Sequence, residues 1–182
     1  MKLMIASDIH GDYACAKKLV DRFLASGADK LLLLGDILYH GPRNDIPDGY
    51  APKQVITLLN SIKDKLLCVR GNCDTEVDQM VLEFPILADY SYIVDEGVEI
   101  FATHGHNYNM DTAKNLSEGT ILLHGHTHVP VAIPFGNGNV YINPGSVSIP
   151  KENSPKSYIM YENKTFSFRR LDDGSEYRLY TV

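Results

Sequence analysis

Seven side chains able to bind a metal ion fall in five short clusters along the sequence: Asp8 with His10, Asp36, Asn72, His104, and His126 with His128. Carboxylate, amide and imidazole donors without an obvious thiolate suit Mn²⁺, Fe, Zn²⁺ or Ni²⁺ better than Ca²⁺ or Cu⁺. Such donors could support hydrolysis of a phosphate ester. That reaction needs a nucleophilic water, neutralised phosphoryl oxygens and help for the leaving oxygen, and two metal ions about 3.5 to 4 Å apart supply the first two. A binuclear site needs a full set of protein ligands with a carboxylate to bridge the ions, and the clusters offer enough.

Each cluster follows an apolar, strand-like run. LMIAS precedes Asp8, KLLLL precedes Gly35-Asp36, LLCVR precedes Gly71-Asn72, EIFAT precedes His104 and TILLH precedes Gly125-His126. Every candidate ligand therefore falls just beyond the carboxyl end of a strand, where open α/β sheets build their sites. Taken singly, the clusters have plainer readings. Asp8-x-His10 reads as a surface turn, Gly35-Asp36 as a loop cap and Asn72 as a turn residue held by its own side chain. His124, His126 and His128 alternate as a strand face would, although Gly125 and Thr127 argue for a turn. Five clusters at corresponding positions point to a site assembled by the fold.

The elements that must position them are legible in outline. Asp12 to Ser26 places Ala16, Leu19, Val20, Phe23 and Leu24 on one face of an amphipathic helix, with Gly27 as its stop. Lys53 to Ile62 repeats the pattern with Val55, Ile56, Leu58, Leu59 and Ile62. The βαβαβ order of the first seventy residues predicts parallel strands with right-handed crossovers. Glu76 to Leu82 reads as a short helix, Pro85 as the opening of a strand, and Asp111 to Leu116 as another short helix. Beyond Val129 strands and tight turns take over, with hairpins at Gly136-Asn137-Gly138 and Glu162-Asn163-Lys164. The expected fold class is α/β, two facing mixed β-sheets flanked by helices, in a single domain over residues 1–182.

Composition narrows the function classes. A net charge of −6 disfavours binding of polymeric nucleic acid by general electrostatic attraction. Cys15, Cys68 and Cys73 form no C-x-x-C and no secretory leader precedes the first strand, so a reducing, cytoplasmic setting is expected. No apolar run approaches the ~18 residues of a membrane span. Tyr158, Tyr161 and Phe168 on the late strands leave two readings open, pairing in a homo-oligomer or packing on a core.

The order Asp-x-His, Gly-Asp, Gly-Asn-x-Asp, His-Gly-His and Gly-His-Thr-His, from about Met1 to Pro150, resembles the calcineurin-like metallophosphoesterase superfamily. Within it, Gly71-Asn72-Cys73-Asp74 and Asn143-Pro144-Gly145-Ser146, with the small size, are most similar to the compact YfcE-type phosphodiesterases. The resemblance implies a metallophosphoesterase-like α/β sandwich holding two divalent ions, with Mn²⁺ first. Asp8, His10 and His128 would hold one ion, Asn72, His104 and His126 the other, and Asp36 would bridge them. Catalysis would fall to Asp36, Asn72, His104 and His106, by attack of a metal-bridging hydroxide. For His106 a phosphate contact or proton donor and a plain loop histidine stand equal, whereas His124 reads as structural.

The loop from Gly35 to Pro52 exceeds the 12 to 15 residues or so beyond which loops in compact domains tend to be functional or disordered. It starts at Asp36, so His40, Arg43 and Asn44 are candidate substrate contacts, together with Cys73. A surface salt bridge is the plainer reading of Arg43. Many phosphomonoesterases of the superfamily carry Gly-Asn-His-Asp or Gly-Asn-His-Glu, whose histidine protonates the leaving oxygen, and this chain has Cys73 there. A thiol with an ordinary pKa near 8.5 is a poor substitute for an imidazole titrating near 6.5. The resulting expectation is a metal-dependent phosphodiesterase acting on a small diester. A phosphomonoesterase, a nuclease and a metal-binding protein-interaction scaffold remain as alternatives.

Overall fold

The computed structural model of the protein describes residues 1–113 and 115–182. In chain order the elements are β1 (Leu3–Ala6), α1 (Tyr13–Ser26), β2 (Lys30–Leu33), α2 (Pro52–Asn60), β3 (Leu66–Cys68), α3 (Glu76–Gln79), β4 (Tyr90–Asp95), β5 (Val98–Thr103), β6 (Ile121–Leu123), β7 (Val131–Phe135), β8 (Asn139–Asn143), β9 (Ser157–Glu162), β10 (Thr165–Arg170) and β11 (Glu176–Thr181), with a 3₁₀ turn at Lys63–Lys65. They form two mixed sheets, ordered β11-β10-β9-β1-β2-β3 and β4-β5-β6-β8-β7. β1, β2 and β3 run parallel, as do β5, β6 and β8.

β1 explains why its run is apolar throughout. Leu3 and Ile5 face the second sheet, in a core with Leu32, Ile100, Ile121 and Ile142. Met4 and Ala6 face outward onto α1 and α2, with Leu19, Phe23, Val55 and Leu59. A strand buried on both faces has no polar alternation to show. Both long helices pack on the six-stranded sheet. The outer face of the other sheet is covered by loop residues instead, with Tyr108, Ala113 and Leu116 against Phe101, Leu122 and Tyr141.

Helix α1 begins where its side-chain cap allows: Asp12 Oδ1 accepts from Cys15 N at 3.0 Å, and Gly27 closes the helix in the left-handed region (φ 69°). Leu24 departs from the expected face and is 63% exposed. One step past Phe23 rotates roughly 100° around the axis, which carries Leu24 beyond the edge of the buried stripe. α2 starts at Pro52, whose missing N–H costs nothing in the first turn.

One further expectation differs, one falls partly outside the described residues, and one open choice is resolved. Pro85 opens no strand; the next one is β4 at Tyr90. The helix expected over Asp111 to Leu116 includes Lys114, which lies outside the described residues, and Asp111 and Thr112 form a turn closed by Thr112 N on Asn109 O at 3.2 Å. Tyr158, Tyr161 and Phe168 are 3%, 0% and 0% exposed and pack on the core. Cys15, Cys68 and Cys73 are free thiols. Among the described residues no helix is long and apolar enough to cross a membrane.

Candidate metal centre

All five clusters do follow strand ends. Asp8 and His10 follow β1, Asp36 follows β2, Asn72 follows β3, His104 follows β5, and His126 with His128 follows β6. Backbone bonds lace the first loops together, His10 N to Asp36 O at 2.9 Å and Asp8 N to Gly35 O at 3.1 Å. Asp8, His10, Asp36, His126 and His128 all have positive φ, between 48° and 66°. This left-handed conformation is uncommon away from glycine and persists only where surrounding contacts impose it. Five of the seven candidate donors share it, which marks these turns as built to aim side chains inward.

The donors form two groups. In the first, His10 Nε2 lies 3.3 Å from His128 Nε2, and Asp8 Oδ1 lies 3.5 and 3.2 Å from those nitrogens. In the second, His104 Nε2 lies 3.0 Å from Asn72 Oδ1 and 3.2 Å from His126 Nδ1. Asp36 Oδ2 stands between them, 3.7 Å from His10 Nε2 and 3.5 Å from His104 Nε2. The structure therefore brings all seven together.

Their tautomers follow from the backbone. Nδ1 of His10 faces Tyr39 O at 2.8 Å, that of His104 faces Leu34 O at 2.6 Å and that of His128 faces Ile149 O at 2.8 Å. A carbonyl only accepts, so each Nδ1 carries the proton and each Nε2 turns a lone pair into the cluster. Asp8 Oδ1 is buried there with no donor aligned to it. Lone pairs converging on a buried carboxylate oxygen are the donor set a divalent cation satisfies.

Protons compete for the same lone pairs. Burial works against charge on Asp8, but His10 and His128 outweigh it and hold the carboxyl well below its ordinary range. Burial likewise opposes a charged His104, and bonding to Asp36 with the field of Asp8 overcomes it, raising the imidazole to about 9. His126, buried and next to His104, is lowered to about 4.

Two of the supporting residues, Asp74 and Ser146, lie in motifs that carry the family resemblance, but nothing in those motifs announces a bracing role. Asp74, the last residue of Gly-Asn-Cys-Asp, accepts from the backbone N of Asp36 (2.8 Å), Ile37 (2.9 Å) and Gly71 (2.7 Å), pinning the β2 and β3 turns to each other. The turns approach so closely at Gly35 and Gly71 that a Cβ on Gly35 would strike the Gly71 backbone and one on Gly71 would strike Asp36. Ser146 and Ser148 both donate to Asp8 O, at 2.8 and 2.9 Å. Asn143-Pro144-Gly145-Ser146 is thus a turn that braces Asp8. Asp74→Ala strips three buried N–H groups of their acceptor and should destabilise the fold by about 3 kcal/mol or more. Urea unfolding checks this, and a loss below about 1 kcal/mol would separate Asp74 from the support of the turns.

Beside the donors lies a cavity of about 300 Å³ lined by Asp36, Gly41, Pro42, Arg43, Asn44, Asn72, Cys73, His126, Thr127, His128 and Lys151. Three of the four candidate substrate contacts line it. Asn44 spends its amide N–H on His40 O at 2.8 Å, bracing the loop. His40 does not line the cavity; its ring packs between Tyr39 and Tyr50, at 4.7 and 5.4 Å between centroids. His106 sits behind the donors, 5.4 Å from the His104 ring and 6.3 Å from the His126 ring. Burial and the charge of His104 lower its pKa. His124 stacks on Tyr141 at 4.1 Å, a packing role. Lys151 and Thr127 line the cavity without having been anticipated.

Cys73, expected as a substrate contact, also stands beside the donors. Its Sγ lies within 4.8 Å of donor atoms on His10 and Asp36. Burial and the Asp36 carboxylate push the thiol pKa far up, so it remains a neutral thiol.

A family model for the calcineurin-like phosphoesterase superfamily domain matches residues 1–165. The chain is 47% identical over 175 residues to phosphodiesterase YfcE of Escherichia coli (strain K12), covering 96% of this chain and 95% of that protein. The solved structure of YfcE, a phosphoesterase from E. coli, matches with a TM-score of 0.95 at 46% identity over 100% of both chains. Vps29 of Entamoeba histolytica, solved with Zn²⁺, has a TM-score of 0.63 at 19% identity over 100% of this chain and 98% of that one, a likeness of fold. With two mixed sheets arranged as in YfcE and a family match over most of its length, the chain belongs to the calcineurin-like phosphoesterase superfamily and is a phosphoesterase.

Proposed function

We propose that residues 1–182 act as one domain that hydrolyses a small phosphodiester at a binuclear metal centre. Asp8, His10 and His128 hold one ion, Asn72, His104 and His126 the other, and Asp36 is shared. The observation that carries this reading is the position of Asp36 Oδ2, which reaches toward both His10 and His104 at 3.7 and 3.5 Å. Mn²⁺ is the first candidate, with Zn²⁺, Fe and Ni²⁺ behind it. When bound, such ions polarise the phosphoryl oxygens and lower the pKa of a water held between them.

The chain's own residues set which ester reacts. Asp36 Oδ1 is fixed by Cys73 N at 2.8 Å, which leaves Oδ2 for the centre. The neutral Cys73 thiol beside the donors is too weak an acid to protonate a departing alkoxide near pH 7. His106, with its pKa lowered, is largely unprotonated there. A diester with a stabilised leaving group departs without that proton. The name of the 47% identical E. coli relative, phosphodiesterase, agrees with this preference.

The test is kcat/KM of the Mn²⁺-loaded protein on bis(p-nitrophenyl) phosphate and on glycerol 2-phosphate, whose alkoxide needs a proton to leave. The diester should lead by ~10²-fold or more, the least a missing general acid forfeits on the other ester; a lead for the monoester would reverse the assignment. Arg43 lines the cavity, and its guanidinium can pair with two phosphate oxygens. Arg43→Ala should raise KM or lower kcat without changing metal content, by ~10-fold for a charge-assisted bond. Unchanged kinetics on every cleaved substrate would assign the loop to structure.

A further inference from the structure

The cavity beside the donors holds two cations that a lone diester phosphate does not require. Arg43 and Lys151 reach it from separate segments of chain. Among the described residues the side-chain ion pairs of lysine and arginine are made by Lys2, Lys17, Lys18, Lys63, Arg70 and Arg169, so both cavity cations lack a carboxylate partner. The chain as a whole is acidic, at −6, which makes two unpaired cations at one cavity a local inversion of its charge.

Lys151 is held there by its backbone. Its N donates to His128 O at 3.2 Å, and its carbonyl accepts from Ser154 N at 3.0 Å. The turn closed by these bonds puts Glu152 and Asn153 consecutively in the left-handed region, at φ 53° and 56°, a conformation that surrounding contacts must impose on a glutamate. The same segment supplies Ile149 O, which orients His128. One short segment, Ile149 to Ser154, therefore both orients a candidate donor imidazole and brings Lys151 to the cavity that imidazole lines.

A diester phosphate carries one negative charge. Asp8 and Asp36 are the only carboxylates among the seven donors, so a pair of divalent ions already exceeds what one phosphate needs for neutralisation. We infer that Arg43 and Lys151 form an anion subsite for a second phosphate group on one ester arm, which makes the substrate a small diester with an additional anionic charge. This rests on the diesterase reading above and adds Lys151 as a specificity-determining residue. A guanidinium offers paired donors to phosphate oxygens and an ammonium offers a point charge, and both interactions weaken as salt rises.

The test compares compounds that differ by one phosphate. Thymidine 5′-(p-nitrophenyl phosphate) and its 3′-phosphorylated form present the same scissile bond to the metal-loaded protein. The phosphorylated form should have a kcat/KM ~10-fold or more higher, as charge-assisted bonds allow, and the ratio should fall toward one in Lys151→Ala and below it in Lys151→Glu. Calorimetry with thymidine 3′,5′-bisphosphate and thymidine 5′-monophosphate reads the subsite without turnover. The bisphosphate should bind ~10-fold tighter, and Lys151→Ala should remove the difference. Equal kcat/KM and equal affinities would overturn the subsite while leaving diester hydrolysis standing. Cleavage of neither ester, with the Lys151-dependent bisphosphate preference intact, would overturn diester hydrolysis and support the subsite.

Discussion

Asp36→Asn is expected to lower kcat/KM on any cleaved diester by on the order of 10³-fold, more than any other single change among the seven donors, since bound ions supply several kcal/mol and each ~1.4 kcal/mol is a tenfold. Asp36 Oδ2 lies within 3.7 Å of a donor in each group, whereas Asp8, the other carboxylate, comes only within 4.8 Å of His104 in the second. Asparagine keeps an acceptor for Cys73 N, which now bonds Oδ1 at 2.8 Å, and it tolerates the positive φ of 55° at this position. The fold should survive while the shared charge is lost. Kinetics and metal content measured on the same preparation, with a thermal melt as control, check the result. A smaller loss than that of Asn72→Ala or His126→Ala would remove Asp36 from its shared position.

Cys73→His should raise monoester hydrolysis by ~10-fold or more, because a positioned general acid contributes about 10²- to 10⁴-fold. The thiol lies among the donor atoms and lines the cavity, so an imidazole placed there extends toward the leaving oxygen. Burial and Asp36 keep the native thiol protonated but far too weak an acid to serve. Hydrolysis of bis(p-nitrophenyl) phosphate should change much less, since nitrophenolate departs without a proton. The comparison is kcat/KM of both proteins on glycerol 2-phosphate, whose alkoxide needs a proton to leave, and on bis(p-nitrophenyl) phosphate, at matched metal loading. A parallel change on both would show that Cys73 does not set the choice of ester.

What the sequence made legible follows from where information is local. β1, β2, β5 and β6 are buried on both faces and read as apolar runs, and the donors sit directly after them. Gly27 and the two hairpins are short-range chemistry and were found, whereas Asp12, placed inside the helix, caps it instead. β4 and β11 were missed as elements because they are edge strands: Tyr92, Val94 and Leu179 are 52%, 71% and 56% exposed, so their apolar residues outline no core.

The site was legible in its donors and opaque in its supports. Asp8 is braced by Ser146 and Ser148 and Asp36 by Asp74, and no local pattern announces bonds between residues so far apart in sequence. The left-handed backbone of Asp8 and Asp36 is held by those contacts. Lys151 escaped notice for the same reason, since only the turn around His128 carries it to the cavity.

The most direct measurement is the number of divalent ions bound per chain, followed by titration into metal-free protein with diester hydrolysis read on the same samples. Two tightly bound ions per chain, with hydrolysis rising only as the second fills, is the expected result. A stoichiometry near zero with hydrolysis retained would contradict a binuclear centre built from these seven side chains.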